Sequence, residues 1–268
     1  VYEPFFLWLI YIVSISTDLK DKTMIDIRLS DNLELMAEMQ DNTVDLIYCD
    51  ILYGTGRKFK DYQDLKPKRE VIKEHYIPRI KEMHRILKDT GSIYLQMDYK
   101  ISHWIRLIFE EIGLTLQNEI CWCYKSGGSS KSNFSKKHDT ILFYTKTKKY
   151  NFNFIKEKSY GTGGGGQGGK VEYFKDKKGT YNYVGVKDWW DIPMLSTTHS
   201  ERLGYHTQKP KALIERIIKS SSNEGDLVAD FYGGSFTTAE VCKDLNRNFI
   251  GCDISEKAVA IGLERTKY

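Results

Sequence analysis

Two short segments of the sequence carry residue types that could do chemistry. Near the C-terminus, Leu227-Val228-Ala229-Asp230 runs into Phe231-Tyr232-Gly233-Gly234-Ser235-Phe236-Thr237-Thr238. A strand that enters a small-residue turn and then a helix is a nucleotide-type binding corner. Glycines let backbone N–H groups approach a ligand closely, and ligands sit beyond the carboxyl ends of the strands. Asp253 lies 23 residues after Asp230, at the end of NFIGCD, and fits an acceptor for ribose hydroxyls. The pattern does not separate a dinucleotide from another adenosine cofactor, or either from a tight turn with a solvent-facing Asp. In the first half, Asp50-Ile51-Leu52-Tyr53 follows the apolar run Val44–Cys49 directly. A carboxylate and an aromatic at a strand's carboxyl end stand where ligands bind. The structural alternative is a strand-terminal Asp capping a turn, with Tyr53 in the core.

The elements around these segments alternate. Val44–Cys49 reads as a buried strand. Arg69–Leu87 has helical spacing, with Ile72, Tyr76, Ile80, Met83 and Leu87 on one face, and Thr90-Gly91 is expected to end it. Ser92–Met97 reads as a strand, Ile101–Ile112 as an amphipathic helix stopped by Gly113, and Thr115–Tyr124 and Thr140–Thr145 as strands. Beyond the middle of the chain follow a helix from Lys211, a strand at Asp226–Asp230, a helix from Thr237, a strand at Asn248–Cys252 and a closing helix near Ser255. Such alternation predicts an α/β fold, with a mostly parallel sheet and helices on both faces. Between them, Asn151–Tyr205 breaks the pattern with a glycine run (Gly161–Gly169) and many aromatics, and reads as an inserted lobe.

The chain has 268 residues, 41% hydrophobic and 28% charged, enough to bury a large core and exclude global disorder. A net charge of +4 excludes a histone-type polyanion coat and allows a local basic groove. Five cysteines with no C-x-x-C pair argue against a disulfide framework or structural zinc and point to a reduced, cytoplasmic compartment. No metal-ligand cluster is seen. The apolar run Pro4–Val13 is too short to span a bilayer and lacks the flanks of a signal peptide. The natural start is expected at or near Met24, with residues 1–23 a non-native extension; a packed N-terminal strand or helix is the alternative.

From about Ile25 to Tyr268 the sequence resembles bacterial site-specific DNA adenine-N6 methyltransferases that use S-adenosylmethionine. The resemblance is to the permuted subgroup, in which the catalytic motif precedes the cofactor loop. Asp50-Ile51-Leu52-Tyr53 matches the family's Asp-Pro-Pro-Tyr, and Asp230 through Thr238 match Asp-Pro-Phe-x-Gly-Ser-Gly-Thr-Thr. Further ordered matches are Leu87–Asp98, Tyr124–Tyr144, Gly204–Ile218 and Asn246–Ser255. The resemblance implies a Rossmann-like methyltransferase fold with permuted motif order. It divides the chain into a catalytic half (24–150), a target-recognition insertion (151–205) and a cofactor half (206–268). It makes Asp50, Ile51 and Tyr53 catalytic. Asp230, Tyr232, Gly233, Gly234, Ser235, Thr237, Asp253 and Lys209 would bind S-adenosylmethionine.

An adenine amine is a poor nucleophile because its lone pair is delocalised into the ring. The Asp50 carboxylate and the carbonyl of residue 51 would accept its two N–H groups. Tyr53 would stack on the base, which must first leave the duplex. Asp at position 50 favours adenine, since the family's cytosine-N4 enzymes usually carry Ser there. Cys121–Tyr150 holds seven Lys and one Asp, and Lys125, Lys131, Lys136 and Lys137 are candidate phosphate contacts on double-stranded DNA. The resemblance leaves open a solitary enzyme, one paired with a separate restriction nuclease, and a homodimer; it implies no membrane partner.

The chain departs from the family at proline and glycine positions. Ile51, Leu52 and Phe231 replace prolines, His206 sits where proline is common, and Phe236 replaces the second loop glycine. Losing a proline lock typically costs ~0.4–1 kcal/mol. Two such losses at the catalytic motif are expected to slow chemistry roughly tenfold. A left-handed Phe236 would cost ~1–2 kcal/mol. Its ring would either cover the space of the cofactor's methionine part or turn away and pack on Tyr232. These departures leave open a weakened or inactive member acting as a DNA- or partner-binding module, and the glycine loop with Asp253 leaves open a nicotinamide-dependent dehydrogenase.

Overall fold

The computed structural model describes residues 23–58, 63–125, 128–161, 171–205 and 207–267. The expectations for residues 1–22, for the glycine run beyond Gly161 and for His206 lie outside them. The first half runs β1 (Ile25–Leu29), α1 (Asn32–Glu38), β2 (Val44–Asp50), α2 (Arg69–Ile86), β3 (Leu87–Met97), α3 (Tyr99–Ile112), β4 (Thr115–Cys123) and β5 (His138–Thr145). The lobe supplies β6 (Lys156–Tyr160), β7 (Phe174–Asp176), β8 (Gly179–Gly185) and β9 (Trp189–Asp191). The last part runs α4 (Lys211–Ser221), β10 (Leu227–Asp230), α5 (Thr237–Asp244), β11 (Asn248–Asp253) and α6 (Glu256–Arg265).

Eight strands form one sheet in the order β1-β11-β10-β2-β3-β5-β4-β9. The pairs from β1 through β3 are parallel, while β5 runs antiparallel to both β3 and β4. Alternate residues of β2 face opposite layers, as a period of two requires. Ile47 and Cys49 join the apolar layer under α1, α2 and α3; Leu46 and Tyr48 join the one under α4, α5 and α6. Helices thus cover both faces, and β2 is apolar along nearly its whole length because neither face meets water.

Two boundaries differ from expectation. Helix α2 stops at Ile86, not at Thr90-Gly91, and β3 starts at once with Leu87 opposite Val44. The residues between Leu87 and Ser92 are taken up by an irregularity in that pairing. A Cβ at Gly91 would stand 2.7 Å from the buried Leu87 side chain, so the glycine makes room rather than ending a helix. The lobe is not wholly separate either. β6, β8 and β7 make a small antiparallel sheet, but β9 returns to the large one, with Trp190 paired to Trp122.

Candidate active site

Strands β2 and β10 lie side by side, with Leu46 and Ile47 opposite Val228 and Ala229. From this pair the chain leaves in opposite directions, β2 toward β3 and β10 toward β11. Such a divergence opens a crevice beyond the carboxyl ends of the strands. Here it is a cavity of about 590 Å³, lined by Asp50, Ile51, Tyr53, Lys209, Asp230, Tyr232, Gly233, Gly234, Ser235, Thr237 and Asp253 among others. Segments 180 residues apart in sequence therefore meet in one place.

At the β2 end, Asp50 is bonded through one oxygen to the Tyr53 hydroxyl (2.9 Å) and through the other to Lys209 Nζ. Burial pushes the Asp50 carboxyl up, opposed by Lys209 and Tyr53 and reinforced by Asp139. Lys209 thus meets the Asp50 carboxylate, and its Nζ stands 5.7 Å from the Tyr53 ring centre. The Ile51 amide donates to the Gln96 carbonyl (3.0 Å) and the Leu52 carbonyl accepts the Tyr76 hydroxyl (3.1 Å), so this corner is tied at each residue.

At the β10 end, Asp230 is buried and accepts from the Tyr232 amide (3.1 Å) and the Thr238 hydroxyl (2.7 Å). Burial raises its carboxyl to about 7, with Asp50 and Asp253 adding to the rise. Its role is to shape the turn from within. Thr237 likewise braces the loop, donating to the Lys209 carbonyl (3.2 Å) and accepting from Arg265 (3.0 Å). Asp253 receives the Gly234 amide on one oxygen (2.8 Å) and the Ser255 amide on the other (2.9 Å). Asp253 lines the cavity, whose volume lies within the ~300–1,000 Å³ of small-molecule sites. These residues fit a nucleoside-bearing cofactor.

Phe236 takes the left-handed conformation (φ 52°) and is fully buried. Its ring neither covers the cavity nor packs on Tyr232. It turns into the layer under α4–α6, edge-on to Phe249 at 6.3 Å, in space left by Gly233 and Gly262. A Cβ on either glycine would stand 2.4–2.5 Å from ring carbons.

The four candidate phosphate-binding lysines do not line the cavity. They stand on the β4–β5 connection, where Lys125, Lys131 and Lys136 are exposed, Lys136 lies 4.8 Å above the Tyr99 ring and Lys137 donates to the Gly128 carbonyl (3.0 Å). That connection is anchored at the cavity by Tyr124 and Asp139. Sequence reasoning missed both, along with Asp31, Asn32, Asp64, His75 and Arg79, which also line it. His75 meets the Tyr232 hydroxyl (3.2 Å), and burial beside Arg79 lowers its imidazole to about 4. For Asp139 a signal existed: it is the one acid in a strongly basic stretch, at the head of an apolar strand.

The fold is shared with solved methyltransferases. PvuII DNA methyltransferase (cytosine-N4-specific) superposes with a TM-score of 0.71 at 17% identity over 92% of this chain and 88% of that one. The M1.HpyAVI–SAM complex gives 0.63 at 21% identity over 91% and 100%. The fold is therefore that of these solved methyltransferases. A family model described as DNA methylase (N6_N4_Mtase) matches residues 44–264, and the chain belongs to that family. DNA adenine methyltransferase YhdJ of Escherichia coli (strain K12) is 32% identical over 242 residues, 88% of this chain and 80% of that protein. Type II methyltransferase M.HpaI of Haemophilus parainfluenzae is 30% identical over 238 residues, 88% of this chain and 72% of that one. S-adenosylmethionine is the cofactor and DNA methylation the reaction. Among the described residues no helix is long and apolar enough to cross a membrane.

Proposed function

We propose that the chain methylates the N6 amine of adenine in duplex DNA at a specific sequence, after the base has been flipped out. The observation that carries this reading is the Asp50 carboxylate at the head of the cavity, between Tyr53 and the Asp230–Thr238 turn. The adenine activity in the name of one 32%-identical relative agrees with it. S-adenosylmethionine, held along the Gly233–Ser235 turn and Asp253, supplies an activated methyl group on sulfur. Asp50 accepts one amine N–H and the Ile51 carbonyl the other, which lets the nitrogen lone pair leave the ring's conjugation. Tyr53 supplies the stacking face, worth about 1–3 kcal/mol. Holding amine and methyl in line provides much of the acceleration.

Lys125, Lys131, Lys136 and Lys137 carry the phosphate contacts. Residues 151–205 read the target, a role supported by exposed Tyr160, Tyr183 and Trp189 on that part of the surface. The cytoplasm is the compartment in which this DNA is met. The test is incubation with labelled S-adenosylmethionine and random-sequence duplex DNA, followed by nucleoside mass spectrometry. N6-methyladenine is expected, and should be lost in Asp50→Ala while DNA binding persists. N4-methylcytosine, or no methylated nucleoside across DNA sequences and salt, would overturn the reading.

A further inference from the structure

Asp139 stands at the head of β5 at 8% exposure, its carboxylate turned toward the catalytic corner. One oxygen accepts the Tyr53 hydroxyl at 2.7 Å and Gln96 Nε2 at 3.0 Å; the other accepts the Tyr124 hydroxyl at 3.0 Å. Gln96 is itself fixed, since its Oε1 accepts the Tyr48 hydroxyl at 2.8 Å and its Nε2 reaches the Tyr53 oxygen at 3.2 Å. The same Tyr53 hydroxyl stands 2.9 Å from Asp50 Oδ1.

A phenol has one proton to donate. Burial and the two carboxylates push the Tyr53 hydroxyl well above its usual range, so that proton stays on oxygen. Tyr53 therefore cannot make a full hydrogen bond to Asp50 and Asp139 together. Asp50 must offer its oxygens to the substrate amine, and a phenol donating to Asp50 competes for that acceptor. With Asp139 beside it, the hydroxyl has a second carboxylate to satisfy. The ring is then held by its para oxygen in the orientation a flipped base would meet.

We propose that Asp139 is a positioning residue for methyl transfer: it takes the Tyr53 hydroxyl as the amine arrives, frees Asp50 Oδ1 and fixes the Tyr53 ring. No proton changes owner; one hydrogen bond is exchanged for another. The proposal rests on the roles of Asp50 and Tyr53 given above.

The experiment is a double-mutant cycle on the full chain, read as single-turnover methylation of duplex DNA, with S-adenosylmethionine affinity measured calorimetrically. Asp139→Ala should lower the turnover rate thirtyfold or more and leave cofactor and DNA affinity within threefold. Asp139→Asn keeps a neutral acceptor and should lose threefold to tenfold. In a Tyr53→Phe background, where no hydroxyl needs an acceptor, either change should cost less than twofold further. Undiminished losses in that background, or no loss in the wild-type one, would overturn the proposal. If Asp139→Ala fails to bind cofactor, the Asp139→Asn arm of the cycle decides in the same way. Asp50→Ala separates the two levels of the argument. Undiminished methylation there would overturn the reading of the site itself, whereas a silent Asp50→Ala with additive Asp139 losses would overturn the positioning role alone.

Discussion

The buried ring of Phe236 makes a sharp prediction about two glycines. Its left-handed backbone (φ 52°) costs about 1–2 kcal/mol, while burying a phenyl returns about 1.5–3 kcal/mol. Phe236→Gly relieves the backbone and empties the layer. A loss of about 3–5 kcal/mol from the ring, less the relief, leaves a net destabilisation of about 1–4 kcal/mol. Gly262→Ala is the informative partner. In a helix interior alanine is better than glycine by about 0.8–1 kcal/mol. Here the new Cβ would stand 2.5 Å from the Phe236 ring, and such overpacking costs about 1–3 kcal/mol. Gly262→Ala should therefore destabilise the wild type and stabilise Phe236→Gly. The coupling between the two changes is about 1–3 kcal/mol, measured by urea unfolding of the four proteins. If the effects add to within about 0.5 kcal/mol, the glycines are not making room for the ring and the account of Phe236 fails.

Other expectations follow from single groups. Asp230, raised to about 7 from an ordinary 3.8, binds a proton in the folded protein that the unfolded chain has lost between those values. Stability should therefore fall as pH rises from about 4 to 7 and level off above, by up to about 4 kcal/mol. Asp230→Asn should flatten that window, and an unchanged pH profile of unfolding would refute the assignment. Asp64 accepts the Gly54 and Thr55 amides (3.1 and 2.7 Å), the Thr55 hydroxyl (2.5 Å) and the Leu65 amide (2.8 Å), organising the chain just past Tyr53. Asp64→Ala should lower turnover at least tenfold and cost about 1–3 kcal/mol in unfolding for the amides left unpaired. Changing Lys131 and Lys136 together to Gln should weaken DNA binding about equally for all sequences. It should also reduce the slope of log affinity against log salt by nearly 2, at about 0.9 per phosphate contact.

How much of this could be read in the sequence depended on distance along the chain. The strand–turn–helix at Asp230 and the carboxylate after Val44–Cys49 are local patterns, legible because a buried parallel strand is mostly apolar and ends abruptly. At the α2–β3 boundary Gly91 has the local pattern of a helix terminator, whereas the space of its absent side chain is filled by Leu87 four residues earlier. The orientation of Phe236 needed Phe249 and Gly262, which only the packing of α6 brings near. The partnership of Tyr53 with Asp139 spans 86 residues and depends on β3 and β5 pairing antiparallel, with Met97 opposite Thr140. No periodicity carries that register.

The missing prolines are the remaining question, and the structure gives it a physical form. Proline has no N–H to donate. At two positions where the family carries proline, this chain uses that N–H: Ile51 donates to the Gln96 carbonyl at 3.0 Å and Phe231 to Cys49 Sγ at 3.3 Å. At the third, Leu52, the carbonyl is held by Tyr76 at 3.1 Å. Hydrogen bonds and burial thus fix what a ring would otherwise fix. Ile51→Pro would gain about 0.4–1 kcal/mol by restricting the unfolded chain and lose about 0.5–1.5 kcal/mol with the Gln96 bond. The two nearly cancel, so stability should change by less than about 1 kcal/mol and the methylation rate by less than threefold. A rate rising tenfold in Ile51→Pro would show instead that the carbonyl of residue 51 is poorly held here, and that the proline deficit does limit turnover.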